Sequence, residues 1–225
     1  MDKSRTISLI GNENVEKLGK KHVTIVGTGG VGGYATVLLA RAGIENLTII
    51  DFDCVSSSNA NRQIVAYQST MGRKKVEVLK EMLIDINPQI KVSAHSERLS
   101  KENISSLIGQ TDVVIDAIDS VKDKLELIEY CKKKDIYILS AMGAGNRYCI
   151  PQFELTDIYN THDDGLAKKL RGELRKRGIT SLDVVLSKDK AEKVEGVIGS
   201  ISYYPAMSGC FISGVVVNKI IKGEI

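Results

Sequence analysis

The 225-residue chain has only four cysteines, and no two of them form a CxxC pair. Cys54, Cys131, Cys149 and Cys210 stand far apart, a spacing that argues against a structural zinc site and against a disulfide scaffold. Such cysteines fit a reducing compartment, and a cytoplasmic protein is expected. The three histidines, His22, His95 and His162, are scattered and receive no catalytic role. No signal peptide opens the chain, and the apolar stretch within "CFISGVVVNKII" is too short and too interrupted to span a bilayer. Charge of one sign is missing too: 31 basic residues face 28 acidic ones, so the overall balance neither demands nor excludes nucleic acid. There is no linker, repeat or low-complexity segment. With 43% hydrophobic residues the chain has enough for a substantial core, and one domain over residues 1–225 is expected.

What is present is an alternation. "HVTIVG" (22–27) and "NLTII" (46–50) are β-branched runs flanking "VGGYATVLLARAG" (31–43), which has helical period. A helix is expected from about Arg73 to Asn87, stopped by Pro88, and "IKVSAH" (90–95) reads as the next strand. "TDVVIDAID" (111–119) reads as a buried strand, "KDKLELIEYCKKK" (122–134) as a helix and "IYILSA" (136–141) as a strand. The pattern predicts an α/β fold, a Rossmann-like mostly parallel sheet with helices on both faces. After Gly145 it changes to "QFELTDI", a basic helix around 164–177, "LDVVLS" and an apolar helix from about Pro205 to Lys222. These strands and helices form a C-terminal extension of the same domain.

"GTGGVGG" (27–33) follows the first strand and opens the first helix. Backbone N–H groups at a helix N-terminus hold phosphate oxygens at close approach, and Gly27, Gly29, Gly30 and Gly32 are the positions concerned. The glycines alone leave a mere strand-to-helix turn as the other reading. Asp51 ends the second strand, where an acid hydrogen-bonds a ribose hydroxyl. Up to this point a dehydrogenase and an ATP-using enzyme look alike. The loop "DFDCVSSSNANRQ" (51–63) separates them: it brings Asp53, Asn59, Asn61, Arg62 and Gln63, and "GRKK" adds Arg73, Lys74 and Lys75. Several cations near a phosphate site suit nucleotidyl transfer. Asp119, expected at the end of the fourth strand, adds an acid where Mg²⁺ bridging phosphates is held.

The string "GTGGVGG…DFDCVSSSNANRQ…MGRKKVE…INP…DAIDS" resembles the ubiquitin-activating-enzyme-like superfamily, which adenylates carboxylates with MgATP. The resemblance implies that Asp51 binds ribose, that Asn59, Arg62 and Lys75 contact phosphates, and that Asp119 lies by the metal and phosphates. It also implies that Arg5, in "SRTISLIG", reaches the ATP of a neighbouring subunit in a homodimer. In the second half, "SAMGAGNR" (140–147), "FELTDIYNT" (153–161) and "DGLAKKLRGELRKRGI" (164–179) resemble the tRNA threonylcarbamoyladenosine dehydratases. That likeness implies ATP-dependent activation of the threonylcarbamoyl carboxylate on a tRNA adenosine, ring closure by the neighbouring ureido nitrogen, and release of AMP. "NRYCIPQF" lacks the Asp-Pro that members often carry, and the stretch 187–200 is short.

Residues 1–145 are then the nucleotide-binding core, and 146–225 the part for substrate binding and dimerisation. The implied partners are tRNA carrying threonylcarbamoyladenosine and a second copy of the chain, with no DNA; a sulfur-transfer protein stays open. Two other readings remain: an activator of a ubiquitin-like sulfur-carrier protein, and a nucleotide-binding module without catalysis. The missing zinc-binding CxxC pairs weigh against the first, and the set Asp51, Arg62, Lys75 and Asp119 against the second. Cys210, in "PAMSGCFISG" with no nearby histidine, is expected to pack rather than react. Lys168, Lys169, Arg171, Arg175, Lys176 and Arg177 place six cations in ten residues, a stripe suited to the phosphate backbone of tRNA or simply to water.

Overall fold

The computed structural model describes all 225 residues. Two helices absent from the sequence reading, α1 (Ser4–Ile10) and α2 (Asn12–Lys20), lead into β1 (His22–Val26). The alternation follows as α3 (Gly32–Ala42), β2 (Asn46–Ile50), α4 (Lys75–Ile86), β3 (Lys91–His95), a short α5 (Ile104–Ile108), β4 (Val113–Asp116), α6 (Val121–Lys133) and β5 (Tyr137–Ala141). Then come β6 (Phe153–Asp157), α7 (Gly165–Lys176), β7 (Asp183–Ser187) and α8 (Tyr203–Lys222).

The strands form one sheet in the order β3-β2-β1-β4-β5-β7-β6, parallel except for β6, which pairs antiparallel with β7 at the edge. β7 lies beside β5 through Leu139↔Asp183, so the strands of the extension widen the same sheet. The central strands are buried on both faces, which is why "HVTIV", "NLTII" and "VVID" read as near-continuous apolar runs rather than as alternating ones. One face packs α2, α3, α4 and α8 around Leu18, Leu39, Leu79 and Ile212. The other packs α5, α6 and α7 around Leu107, Ile128 and Leu170.

α8 is long and apolar enough to cross a bilayer by length and composition alone. Here it is a core helix: Tyr204, Ser208, Ile212, Val216 and Ile220 recur along one buried stripe. Full burial of each of the three aliphatic side chains contributes about 1.5–3 kcal/mol. Gly209 permits the close approach to α3, because a Cβ there would come within 2.5 Å of the Val31 carbonyl oxygen.

Beyond β1 the chain turns to β2 and β3 on one side, while β4 and β5 occupy the other. The strand order therefore reverses between β1 and β4, and the last residues of these strands, Val26 and Asp116, are direct partners. A doubly wound sheet leaves its ligand crevice at the carboxyl ends of such a pair.

Candidate active site

The loop from Gly27 to Val31 leaves β1 at this crevice. Gly27 has φ +90°, and a Cβ on it would come 2.7 Å from the Ala117 carbonyl oxygen. At Gly32 a Cβ would meet the Gly27 oxygen at 1.9 Å, so no side chain fits. These two glycines bring the loops after β1 and β4 into contact. Gly29 and Gly30 serve differently: around Gly29 the nearest atom to an added Cβ is Gln63 Nε2 at 3.7 Å, and around Gly30 the neighbours are Pro205 and Arg62. Gly29 thus opens a cradle over the first turn of α3, and Gly30 borders it, since a Cβ there would come within 3.1 Å of Pro205.

Asp51, just past β2, is buried and fixes this loop from the side. Its Oδ2 accepts from Thr28 N (2.7 Å) and Thr28 Oγ1 (3.0 Å), and its Oδ1 accepts from Asp53 N (2.9 Å). A carboxylate has about four acceptor positions, so one on Oδ1 is left for a ribose hydroxyl. Asn59 is buried in a short 3₁₀ turn, its Oδ1 accepting from Ser56 N at 3.1 Å. Arg62 donates through one guanidinium nitrogen to Ser58 O (2.8 Å) and Asn61 Oδ1 (3.0 Å), which leaves its other donors for a ligand. Asn61 in turn donates to Ser200 O at 3.0 Å and ties the loop to the segment before α8.

Gln63 is buried, and its Oε1 has no hydrogen-bond partner. Native interiors satisfy nearly all such groups, so this orphaned acceptor beside the glycine cradle suits a hydrogen-bond donor of a ligand. Lys75, in the first turn of α4, is also buried and pairs with Asp53 Oδ2 at 2.8 Å, with two ammonium donors to spare.

Three expectations change in the structure. β4 stops at Asp116, so Asp119 is not a strand residue but sits exposed in the loop before α6, two residues from the Ala117 backbone that Gly27 touches. Arg73 leaves the cation cluster, because it pairs with Glu81 at 2.5 Å on the exposed side of α4. Cys210 is exposed on α8 and does not pack into the core.

Arg5 is apart from the others. Lys3, just before α1, pairs with Glu45, and the amino terminus reaches Asn87. Both anchors lie at the amino ends of β2 and β3, the edge opposite the crevice, and Arg5 itself is exposed.

The basic helix α7 starts at the crevice edge: its N-cap Asp164 accepts from Ala167 N at 2.8 Å and from Gly143 N, after β5, at 3.1 Å. Its six cations divide. Lys168 and Lys169 are exposed and unpaired, whereas Arg171 is half-buried and donates to Thr161 O at 2.6 Å and to the Thr161 hydroxyl. Arg175 lies over the Tyr159 ring, Lys176 pairs with Glu173 and Arg177 with Glu129. The continuous stripe expected from the helical wheel is thus reduced to its first turns.

Sequence reasoning gave no role to Arg147. Its buried guanidinium donates to Gly143 O (2.9 Å), Gly145 O (3.2 Å) and Asp189 O (2.8 Å), and lies 3.3 Å from Asp164 Oδ2. It thereby joins the loops after β5 and β7 to the start of α7. Its two distant partners, Asp164 and Asp189, lie 17 and 42 residues away, and no local pattern signals them.

Residues 1–220 match the model of the ThiF family. A tRNA threonylcarbamoyladenosine dehydratase of Bacillus subtilis is 34% identical, over 97% of this chain and 94% of its own length. The Escherichia coli enzyme of that name, TcdA, has been solved with AMP (TM-score 0.94) and with ATP (TM-score 0.92), each at 32% identity over 98% of this chain and 94% of that one. By contrast, a molybdopterin-synthase adenylyltransferase of Haemophilus influenzae is 37% identical over only 56% of the chain and 51% of its own length. With a family model spanning the crevice loops and all seven strands, and full-length likeness to the dehydratases, the chain belongs to the ThiF family and, within it, to the tRNA threonylcarbamoyladenosine dehydratase group.

Proposed function

We propose that the chain dehydrates threonylcarbamoyladenosine in tRNA to its cyclic form at the expense of ATP. The observation that carries this is the conjunction at one sheet edge of an open glycine cradle, an orphaned Gln63 amide and the cations Arg62 and Lys75. It occurs in a chain whose whole length resembles an enzyme solved with AMP and with ATP. Likeness to the sulfur-carrier activator covers little more than half the chain, which favours the dehydratase.

A carboxylate is a poor electrophile, and adenylation converts one of its oxygens into a leaving group. In the proposed reaction a substrate carboxylate oxygen attacks the α-phosphorus of ATP and pyrophosphate departs. The ureido nitrogen then attacks the activated carbonyl carbon, loses its proton, and the C–O bond to AMP breaks. The substrate has lost the elements of one water.

The α3 N-terminus and its loop, Gly27 to Gly32, cradle phosphate oxygens. The free position on Asp51 takes a ribose hydroxyl, and the unpaired Gln63 Oε1, itself an acceptor, suits another hydroxyl or amino donor of the nucleotide. Asn59, Asn61, Arg62 and Lys75 surround the phosphates, and Asp53 holds Lys75 in place. Preorganised cations of this kind stabilise charge that develops in the transition state. No group of three or more His, Cys, Asp or Glu side chains clusters to hold a metal. Asp119, the one acid in this loop, would help to hold a magnesium ion that arrives with the nucleotide, the usual habit of that ion. Bound there, it would neutralise charge between the phosphates.

We further propose a two-fold homodimer in which Arg5 completes the partner's site, since Arg5 lies far from its own. tRNA phosphates would lie along Lys168 and Lys169 at the start of α7. In this reading 1–145 serve the nucleotide and 146–225 the substrate and the dimer, within one domain of a cytoplasmic enzyme. The test is mass spectrometry of nucleosides from tRNA incubated with the protein and MgATP. Threonylcarbamoyladenosine lighter by one water is expected; unchanged nucleoside with AMP production only on a carrier-protein C-terminus refutes the dehydratase.

A further inference from the structure

Asp116, the last residue of β4, is completely buried, and so is Lys124 in the first turn of α6. Lys124 Nζ lies 2.9 Å from Asp116 Oδ2 and 3.4 Å from the Asp116 carbonyl oxygen. Ser140 of β5 donates to Oδ2 at 2.5 Å, and the Ile118 N–H donates to Oδ1 at 3.2 Å. Burying two charges costs several kcal/mol per ion, and well-packed apolar residues of like volume commonly serve a fold as well or better. Stability alone therefore gives no reason for this pair.

What apolar side chains would lack is direction. Every bond of the network grips the five-residue span 116–120. Asp116 holds the Ile118 N–H on one side of Asp119. On the other, Ser120 caps α6, accepting from Asp123 N at its hydroxyl (3.4 Å) and from Lys124 N at its carbonyl (2.9 Å). Lys124 closes the circuit, since it belongs to the capped turn and reaches back to Oδ2 and the carbonyl oxygen of Asp116. The Ala117 backbone within this span is the surface on which Gly27 rests. Cys131 faces the same network, and burial with the Asp116 charge pushes its thiol up to about 12, so it brings no competing chemistry.

We propose that Asp116, Lys124 and Ser140 are positioning residues that hold Asp119 in register with the phosphate cradle. The inference rests on the reading of Asp119 as an adenylation residue. Its test is a double-mutant cycle on AMP release. Asp116→Leu with Lys124→Met is expected to stay folded, its melting point lowered at most by the unpaired Ser140 hydroxyl and Ile118 N–H, and to keep its KM for ATP, while kcat falls about a hundredfold, the scale of a displacement of about 1 Å at a reacting group. Adding Asp119→Ala should then slow the enzyme no further, because residues that act through one another are not additive.

Unchanged kcat, or losses that multiply with those of Asp119→Ala, would overturn the proposal. Ser140→Ala keeps the ion pair and removes one tether, so it decides the matter even if the apolar pair does not fold. A loss in kcat without a change in KM, absorbed by Asp119→Ala, supports positioning; a full rate refutes it. Near-normal turnover of Asp119→Ala alone would instead show that the role assigned to Asp119 fails.

Discussion

Replacing Gln63 by Met should stabilise the empty protein and weaken its grip on ATP. Gln63 is 8% exposed with an Oε1 that has no partner, while its backbone N–H is satisfied by Asn59 O at 2.9 Å and is untouched by the change. An unpaired buried polar group costs about 1–3 kcal/mol, and Met has nearly the same length and volume. For a chain of this size each kcal/mol moves Tm by about 2–4 °C, so the ligand-free variant should melt about 2–12 °C above the parent. ATP at about 100 times its Kd adds about 2.7 kcal/mol of stability. Loss of one amide contact worth about 1.4 kcal/mol weakens binding tenfold, and the same ATP concentration then adds only about 1.4 kcal/mol. Thermal melts with and without ATP read both effects: a higher baseline and a ligand shift cut by about half. A variant that melts lower than the parent without ligand, or keeps the full ATP shift, would refute the assignment of the orphaned amide to the nucleotide.

Arg62→Ala and Asp119→Ala should each slow AMP release about a hundredfold, about 3 kcal/mol of transition-state stabilisation, with circular dichroism unchanged; near-normal turnover in either means the site is misassigned. If Arg5 works in the partner's site, mixing inactive Arg5→Ala and Asp119→Ala proteins restores part of the activity, and a dead mixture with proven subunit exchange rules this out. Lys168→Glu with Lys169→Glu should weaken tRNA binding at about 0.15 M salt, where exposed charges act over roughly 8 Å, and leave ATP binding alone. Arg171 is unsuited to that test, because its bonds to Thr161 make it part of the packing. Burial holds His22 below its ordinary value of 6.5, against the opposing pull of Asp112. The unfolded chain therefore binds more protons in that window, so this share of stability is complete above about pH 6.5 and is lost as pH falls through the folded value. Urea midpoints between about pH 5 and 7 should fall toward acid in the parent and flatten in His22→Gln; identical slopes would contradict this.

The parts of the site that were legible in the sequence are those built from neighbours. Gly27 to Gly32 follow a strand and open a helix within seven residues, and Asp51 ends the next strand, so period and spacing reveal both. α1 was invisible because none of its residues is buried, which leaves no apolar period to detect, and α5 is only five residues long. The fate of individual cations could not be read either. Arg73 and Arg62 look alike in sequence, yet Arg73 swings to Glu81 one helix face away while Arg62 stays at the cradle. Likewise Arg171 turns to Thr161, a residue fixed by the turn after β6 rather than by anything in α7. The edge position of β6 depends on pairing with β7, more than twenty residues on, and alternation within β6 carries no information about that.

The placement of the extension follows from the chemistry required at the crevice. Attack of a carboxylate on a phosphorus needs the two held within about 3–3.5 Å and in line, and a mobile second domain would lose much of that advantage. β7 and β6 instead continue the sheet beyond β5, so the loops after β5 and β7 emerge on the same edge as the phosphate cradle. Arg147 binds these loops to Asp164, and Asn146 bonds Gly199, whose neighbour Ser200 receives Asn61 of the nucleotide loop. The surface proposed for tRNA is therefore continuous, through hydrogen bonds, with the surface proposed for ATP. A substitution that weakens this bridge without touching either ligand, such as Asn146→Ala, which removes the side-chain bond to Gly199 N and leaves the backbone one, should raise KM for tRNA and lower kcat together while ATP-induced stabilisation persists. Were KM for tRNA alone to change, the extension would serve only as a docking platform.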